Sequence, residues 1–269
     1  MHQYKMDVPR IVFVVISMVV PIIVVLFAMR SLWAARSLRT DKWPSNLRVS
    51  VEDVLRRAKT GDLVLFSGQG GDSGLIKGWS WNPWSHCGIV VRDPNINGQR
   101  PDGHLYLWHA NVNDTRLDAI QHKSLPEGGT QLNDLEVCLR AYNGVICWRP
   151  ISREIPHQKF NAVLKDLSEN KFCRDYWDLL GVTGTPIGNV IRAVRGEIPP
   201  RLDQYFCSGL AARSYQLAGA LGDTCIMHIH PSHFTENRDA KMPWQPPYRL
   251  ESEYLVNTEM PELPFFSGD

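Results

Sequence analysis

From Ile11 to Met29 the chain is apolar except at Ser17 and Pro21, and few folds accept such a run. A helix of about 20 apolar residues spans the hydrocarbon core of a bilayer, so the segment predicts one transmembrane helix behind a short flank, residues 1–10. A cleaved signal peptide is the competing reading. The run is longer than a usual signal core, however, and no small-x-small cleavage site follows it. Lys5 and Arg10 precede the span, whereas Arg30, Arg36, Arg39, Lys42 and Arg48 follow it. Because basic residues tend to stay on the cytoplasmic side, a single-pass protein with its main body in the cytoplasm is expected.

Residues 30–48 are polar and basic and form the expected connector. Beyond residue 48 the chain has the character of an ordinary globular domain. The 269 residues are 43% hydrophobic and 21% charged, which suits a packed core and excludes a disordered chain. A net charge of +1 without a basic, aromatic-laced face argues against a nucleic-acid partner. The six cysteines are scattered with no CxxC pair, so thiols in a reducing compartment are expected rather than a disulfide scaffold.

Ser50 and Asp53 mark a helix start with Val51, Val54, Leu55 and Ala58 on its apolar face, and Gly61 marks its end. Asp62 to Phe66 reads as a strand closed by the glycine-rich turn 67–71, which lacks the lysine and hydroxyl of a phosphate loop. Residues 73–79 read as a short helix, and Trp79, Trp81 and Trp84 either pack a loop or line an apolar groove. His86 to Val91 is the expected central strand and His104 to Ala110 its antiparallel neighbour. A long loop over 111–133, a helix from Leu135 to Ala141 and a strand from Val145 to Arg149 come next. A helix is expected from His157 to about Arg174, a connector over 181–200 and a second long helix from Tyr205 to Ala220. Strands gathered in the middle with helices around them indicate an α+β domain with a central antiparallel sheet.

Two separated stretches carry chemistry, Trp84-Ser85-His86-Cys87-Gly88 and Tyr205-Phe206-Cys207-Ser208-Gly209. A cysteine on the first turn of a helix gains from free amides and the helix dipole, and an imidazole within reach can take its proton. That base needs a third polar group to hold it, and His109 on the neighbouring strand is the candidate. Taken alone, a cysteine packs as a small hydrophobe more often than it reacts. Cys87 adjoins His86, but neighbours on a strand point to opposite faces, so Cys87 is expected to turn away from the partner of His86 and fill the core. Cys225, His228, His230 and His233 match no zinc spacing and are read as a loop.

Gly61 to Phe66, Trp84 to Val91, Leu105 to Ala110 and Phe206 to Gly209, in that order, resemble the circularly permuted papain-like hydrolases. These form the YiiX-like and lecithin:retinol acyltransferase-like branch of the NlpC superfamily, in which the histidine strand precedes the cysteine helix. The likeness covers about Val49 to Tyr254, including Pro231 to Phe234, and leaves 255–269 as a polar tail. It implies a permuted papain-like catalytic domain with Cys207 as nucleophile, His86 as base and His109 as third residue, and no cofactor or metal. The third position is often an acid in YiiX-like members, and Gly209 stands where they often carry glutamate. Tyr205, Ser208 and Trp84 are further candidates for contact with substrate or oxyanion.

The expected activity is hydrolysis or acyl transfer on an amide or ester through an acyl-Cys207 intermediate. The membrane anchor brings lipids and lipidated peptides into the substrate range. The alternative is a membrane-tethered binding or scaffolding protein that keeps the fold without turnover. Neither substrate identity nor oligomeric state follows from these residues.

Overall fold

The computed structural model describes residues 25, 29, 38, 40–68, 73, 77, 82–95, 103–111, 114–120, 122–125, 129–168, 171–172, 204–226 and 229–258. Apart from helical Val25 and Met29, the expected membrane segment Ile11 to Met29 lies outside them, as do its flank 1–10 and the connector 181–200. Of the expected helix at 73–79, only Ser73 and Lys77 are described, both helical. Among the described residues, no helix is long and apolar enough to cross a membrane.

The fold is mixed α+β, built on a seven-stranded sheet. Its strands are β1 (Arg48–Ser50), β2 (Leu63–Gly68), β3 (His86–Arg92), β4 (Leu105–Asn111), β7 (Gly129–Asp134), β8 (Gly144–Arg149) and β11 (Tyr254–Asn257). Their order across the sheet is β1-β11-β8-β2-β3-β4-β7. All neighbours are antiparallel except β1 and β11. Two small pairs stand apart, β5 (Asp114–Asp118) with β6 (Lys123–Leu125) and β9 (Lys171–Phe172) with β10 (Gln204–Tyr205).

Both faces of the sheet are covered, and the two-residue alternation of a strand sorts the side chains between them. Leu63, Leu65, Cys87, Ile89 and Trp108 face a core shared with helices α3 (His157–Leu167) and α4 (Cys207–Leu217). Val64, Phe66, Val90 and Leu107 face the core under α1 (Val51–Arg57) and α2 (Leu135–Arg140). The Ser50 hydroxyl caps α1 by accepting from the Asp53 amide.

Two polar ties fix α4 against its surroundings and so fix where Cys207 stands. The Trp108 indole donates to Ser214 Oγ at 3.0 Å, and the Tyr215 hydroxyl donates to the Gly61 carbonyl at 2.8 Å. Gly61 adopts φ +102°, and a side chain there would strike Ile155, so the turn into β2 requires glycine. Beside it, buried Asp62 accepts from Trp148 Nε1 at 2.9 Å, Ile151 N at 2.8 Å and Lys59 N at 3.1 Å. Burial pushes this carboxyl up to about 7, and the three donors pull the other way.

Several expectations need correction. The stretch 111–133 is not one long loop, because it contains β5, β6 and the edge strand β7 of the main sheet. In β7 the buried residues include Thr130, Gln131 and Asn133, so the apolar alternation that announces a strand is missing. The boundary expected after Tyr254 falls inside β11, where Leu255 and Val256 are buried between β1 and β8. The helix expected from Tyr205 begins at Cys207, because Phe206 is extended at φ −79°, ψ 164° and Tyr205 belongs to β10.

Candidate active site

Cys207 is the first residue of α4 and is half-buried. Phe206 occupies the cap position and offers the helix no side-chain hydrogen bond, so the first-turn amides keep the positive end of the helix next to the sulfur. His86 opens β3, with its ring 5.7 Å from that of Phe66 on the adjacent strand. His86 lies close enough to Cys207 to bear on the charge of its sulfur.

His109 sits on β4, only 2% exposed. Its Nδ1 lies 2.8 Å from His86 Nε2, and its Nε2 lies 2.7 Å from Oδ1 of Asn133 on β7. Asn133 is wholly buried, and its Nδ2 donates to the Leu117 carbonyl at 3.0 Å. Extending the Ile89↔Trp108 register by one residue places Gly88 opposite His109. A Cβ at Gly88 would come within 2.8 Å of the Leu107 side chain and 3.0 Å of His109 Cβ. The absent side chain is therefore what lets His109 lie across β3 toward His86.

The Cys207 thiol is held well below its ordinary value. The largest cause is a hydrogen bond from the Cys87 thiol; burial opposes it, and His86 and the Cys87 amide add to the lowering. Cys87 moves the other way, well up, first because it is fully buried and then because of Cys207 beside it. The electrostatics thus select Cys207 as the ionised sulfur and leave Cys87 a protonated donor.

The expectation that Cys87 turns away from the partner of His86 is thereby corrected. Alternation along β3 does turn Cys87 away from the face of Gly88 and His109, but that other face is the one α4 covers, and its side chain meets Cys207.

The remaining candidates divide. Ser208 is buried, and its hydroxyl donates to the Ile229 carbonyl at 2.7 Å, so the side chain pins the backbone at Ile229 and is not free for substrate. Trp84 is 2% exposed within the core cluster, since a large apolar ring beside β3 gains most by burial. The side chain of Tyr205 lies outside the described residues, as do Trp79 and Trp81. Among the described residues, no group of three or more His, Cys, Asp or Glu could hold a metal. In the stretch 225–233, Cys225 is exposed, His233 Nδ1 accepts from the His230 amide at 2.9 Å, and His228 is not described.

Two site residues are unmarked in the sequence. Asn133 lies in a stretch with no strand signal. Tyr142 follows α2 in a turn; its phenol, near Ser85 and Cys207, is pushed up to about 12 by burial and so remains a donor. Only the pairing of β8 with β2 draws Tyr142 to Phe66, with ring centroids 4.8 Å apart, at the same end as His86.

No family model matches the chain, and no curated protein matches it. Among solved structures, the metalloprotein yiiX from Escherichia coli O157:H7 is similar at a TM-score of 0.39 and 13% sequence identity, covering 73% of this chain and 98% of that one.

Proposed function

We propose that the chain is a thiol hydrolase or acyltransferase of the permuted papain-like kind. The observation that carries this is one constellation: a lowered Cys207 thiol at a helix start, paired with His86, which is in turn held by His109. Cys207 Sγ attacks the carbonyl carbon of an amide or ester while its proton resides on His86. The tetrahedral oxyanion sits by the first-turn amides of α4. As it collapses, His86 returns the proton to the leaving amine or alcohol, and the acyl group stays on sulfur as a thioester. Water or a second acceptor then gives its proton to His86, attacks the thioester and leaves Cys207 as thiolate.

The order of the elements supports the permuted kind, since the histidine strand β3 precedes the cysteine helix α4. The apolar run Ile11 to Met29 supports a membrane tether with the catalytic domain on the cytoplasmic side. A tethered site meets lipids and lipidated peptides at high local concentration, which makes them the first substrates to try.

The test is acyl capture by the full-length chain from activated acyl esters, read by intact mass. An adduct on Cys207 that neutral hydroxylamine removes, absent in Cys207→Ala and present in Cys87→Ala, is expected. Absence of any adduct, together with iodoacetamide labelling that survives Cys207→Ala, would favour the silent scaffold instead.

A further inference from the structure

We infer that Asn133 is a positioning residue that decides, through two histidines in series, which nitrogen of His86 receives the Cys207 proton. This rests on the reading of Cys207 and His86 as nucleophile and base. The first orientation is set by a backbone carbonyl, which can only accept.

Leu117 O lies 3.0 Å from the Asn133 amide nitrogen. Turning the amide over would set two oxygens against each other, so the NH₂ faces Leu117 and Oδ1 faces His109. Oδ1 can only accept, and His109 Nε2 lies 2.7 Å from it, so that nitrogen carries the proton. A neutral imidazole has one N–H, which leaves His109 Nδ1 as a lone pair. His86 Nε2 is 2.8 Å from that lone pair and must donate. The proton of neutral His86 is thereby fixed on Nε2, and Nδ1 is left as the base for the Cys207 proton. Each link admits one arrangement, and all of them hang on an amide 0% exposed.

Burial makes the assignment firm. His109 is 2% exposed, so a wrong tautomer would leave a buried donor facing a donor with little water to relieve it. The anchor itself is braced, since the Leu132 amide donates to Asp118 and the Ala119 amide to Leu132 O at 2.8 Å, docking the β5 end onto β7.

The first measurement is histidine-selective ¹⁵N NMR of the full-length Cys207→Ala chain at pH 8. Nitrogen shifts distinguish N–H from lone pair. Both His86 and His109 are expected as the Nε2–H form; an Nδ1–H form of either ring overturns the inference. This readout needs no catalysis, so it stands or falls apart from the hydrolase assignment, which the acyl-capture test decides.

The second is the pH profile of acyl-Cys207 hydrolysis, the step in which neutral His86 takes a proton from water, in Asn133→Leu and Asn133→Asp. Losing the acceptor releases the tautomer, and the pH-independent plateau is expected to fall about tenfold in Asn133→Leu. Asn133→Asp still accepts from His109 but sets a carboxylate oxygen against Leu117 O, so it is expected to lose less of the plateau than Asn133→Leu. Equal plateaus in wild type and Asn133→Leu, or equal losses in both variants, overturn it. If Asn133→Leu does not fold, the tautomers in the Cys207→Ala chain still decide between the two arrangements.

Discussion

Replacing Cys87 with alanine removes the largest influence that holds the Cys207 thiol down, while His86 and the backbone amide of residue 87 stay in place. A hydrogen bond to an ionised group is worth about 1.5–3 kcal/mol, and a thiol is a weak donor, so about 1–2 kcal/mol is at stake. At about 1.4 kcal/mol per pKa unit, the Cys207 thiol rises by about one unit. The direction follows from which form the bond favours: the donor stabilises thiolate, so its loss moves the acid limb of thiolate reactivity to higher pH. The assay is the iodoacetamide alkylation rate between pH 4 and 9, with the labelled peptide identified by mass. Cys87→Ser restores a donor and is expected to bring the limb back. Because Cys87 is fully buried, alanine also leaves a small void worth about 1 kcal/mol of stability, read separately by thermal unfolding. An unmoved limb in Cys87→Ala would refute the assignment of Cys87 as donor, and a lost labelled peptide would make Cys87 itself the reactive thiol.

Gly88→Ala places a methyl 2.8 Å from Leu107 and 3.0 Å from His109 Cβ, so a loss of about 1–3 kcal/mol in urea unfolding is expected, with slower Cys207 alkylation as His109 is displaced. An alanine at 88 that leaves both unchanged would show that His109 does not depend on this gap. Asp62→Asn keeps the shape but turns an NH₂ toward N–H donors that now point at a carboxylate, and about 2–4 kcal/mol of stability should go; an unchanged unfolding midpoint would dismiss the brace. Arg149 is 1% exposed, pairs with Asp239 at 2.9 Å and donates to Phe234 O at 2.6 Å. Arg149→Met strands those acceptors and should cost about 3–5 kcal/mol, with equilibrium unfolding as the check.

Those stabilities concern parts of the fold that the sequence announced unevenly. The strand at β3 and the capped start of α1 were legible, because apolar runs and a Ser-x-x-Asp cap are local signals. The edge strand β7 was not, since its buried residues include Thr130, Gln131 and Asn133, and polar residues in a buried strand follow from what lies opposite rather than from their own pattern. For the same reason Asn133 was invisible until β4 and β7 were paired. Cys87 was misread although the alternation rule was sound, because the rule gives opposite faces without saying which face the helix covers. Ser208 and Trp84 looked exposed to chemistry by their place in the sequence, and tertiary packing buried both side chains.

The partners of His86 and of Cys207 differ in kind, and this separates two effects that the pH profiles of hydrolysis and of alkylation tell apart. On the base side His109 and Asn133 are buried and offer lone pairs and amide dipoles; a carboxylate there would be a buried charge, costly unless paired. They orient the imidazole without adding charge to pull the proton from sulfur. On the nucleophile side the Cys87 thiol, the Cys87 amide and His86 bear directly on the sulfur, and the Cys87 thiol bears most. Asn133→Leu should therefore lower the plateau of acyl-Cys207 hydrolysis and leave the alkylation midpoint within about half a unit, whereas Cys87→Ala should move the alkylation midpoint by about one unit and leave the hydrolysis plateau. In the double variant the two changes should appear together and independently. A midpoint that moves with Asn133 would mean that the relay carries charge, with His109 protonated beside His86.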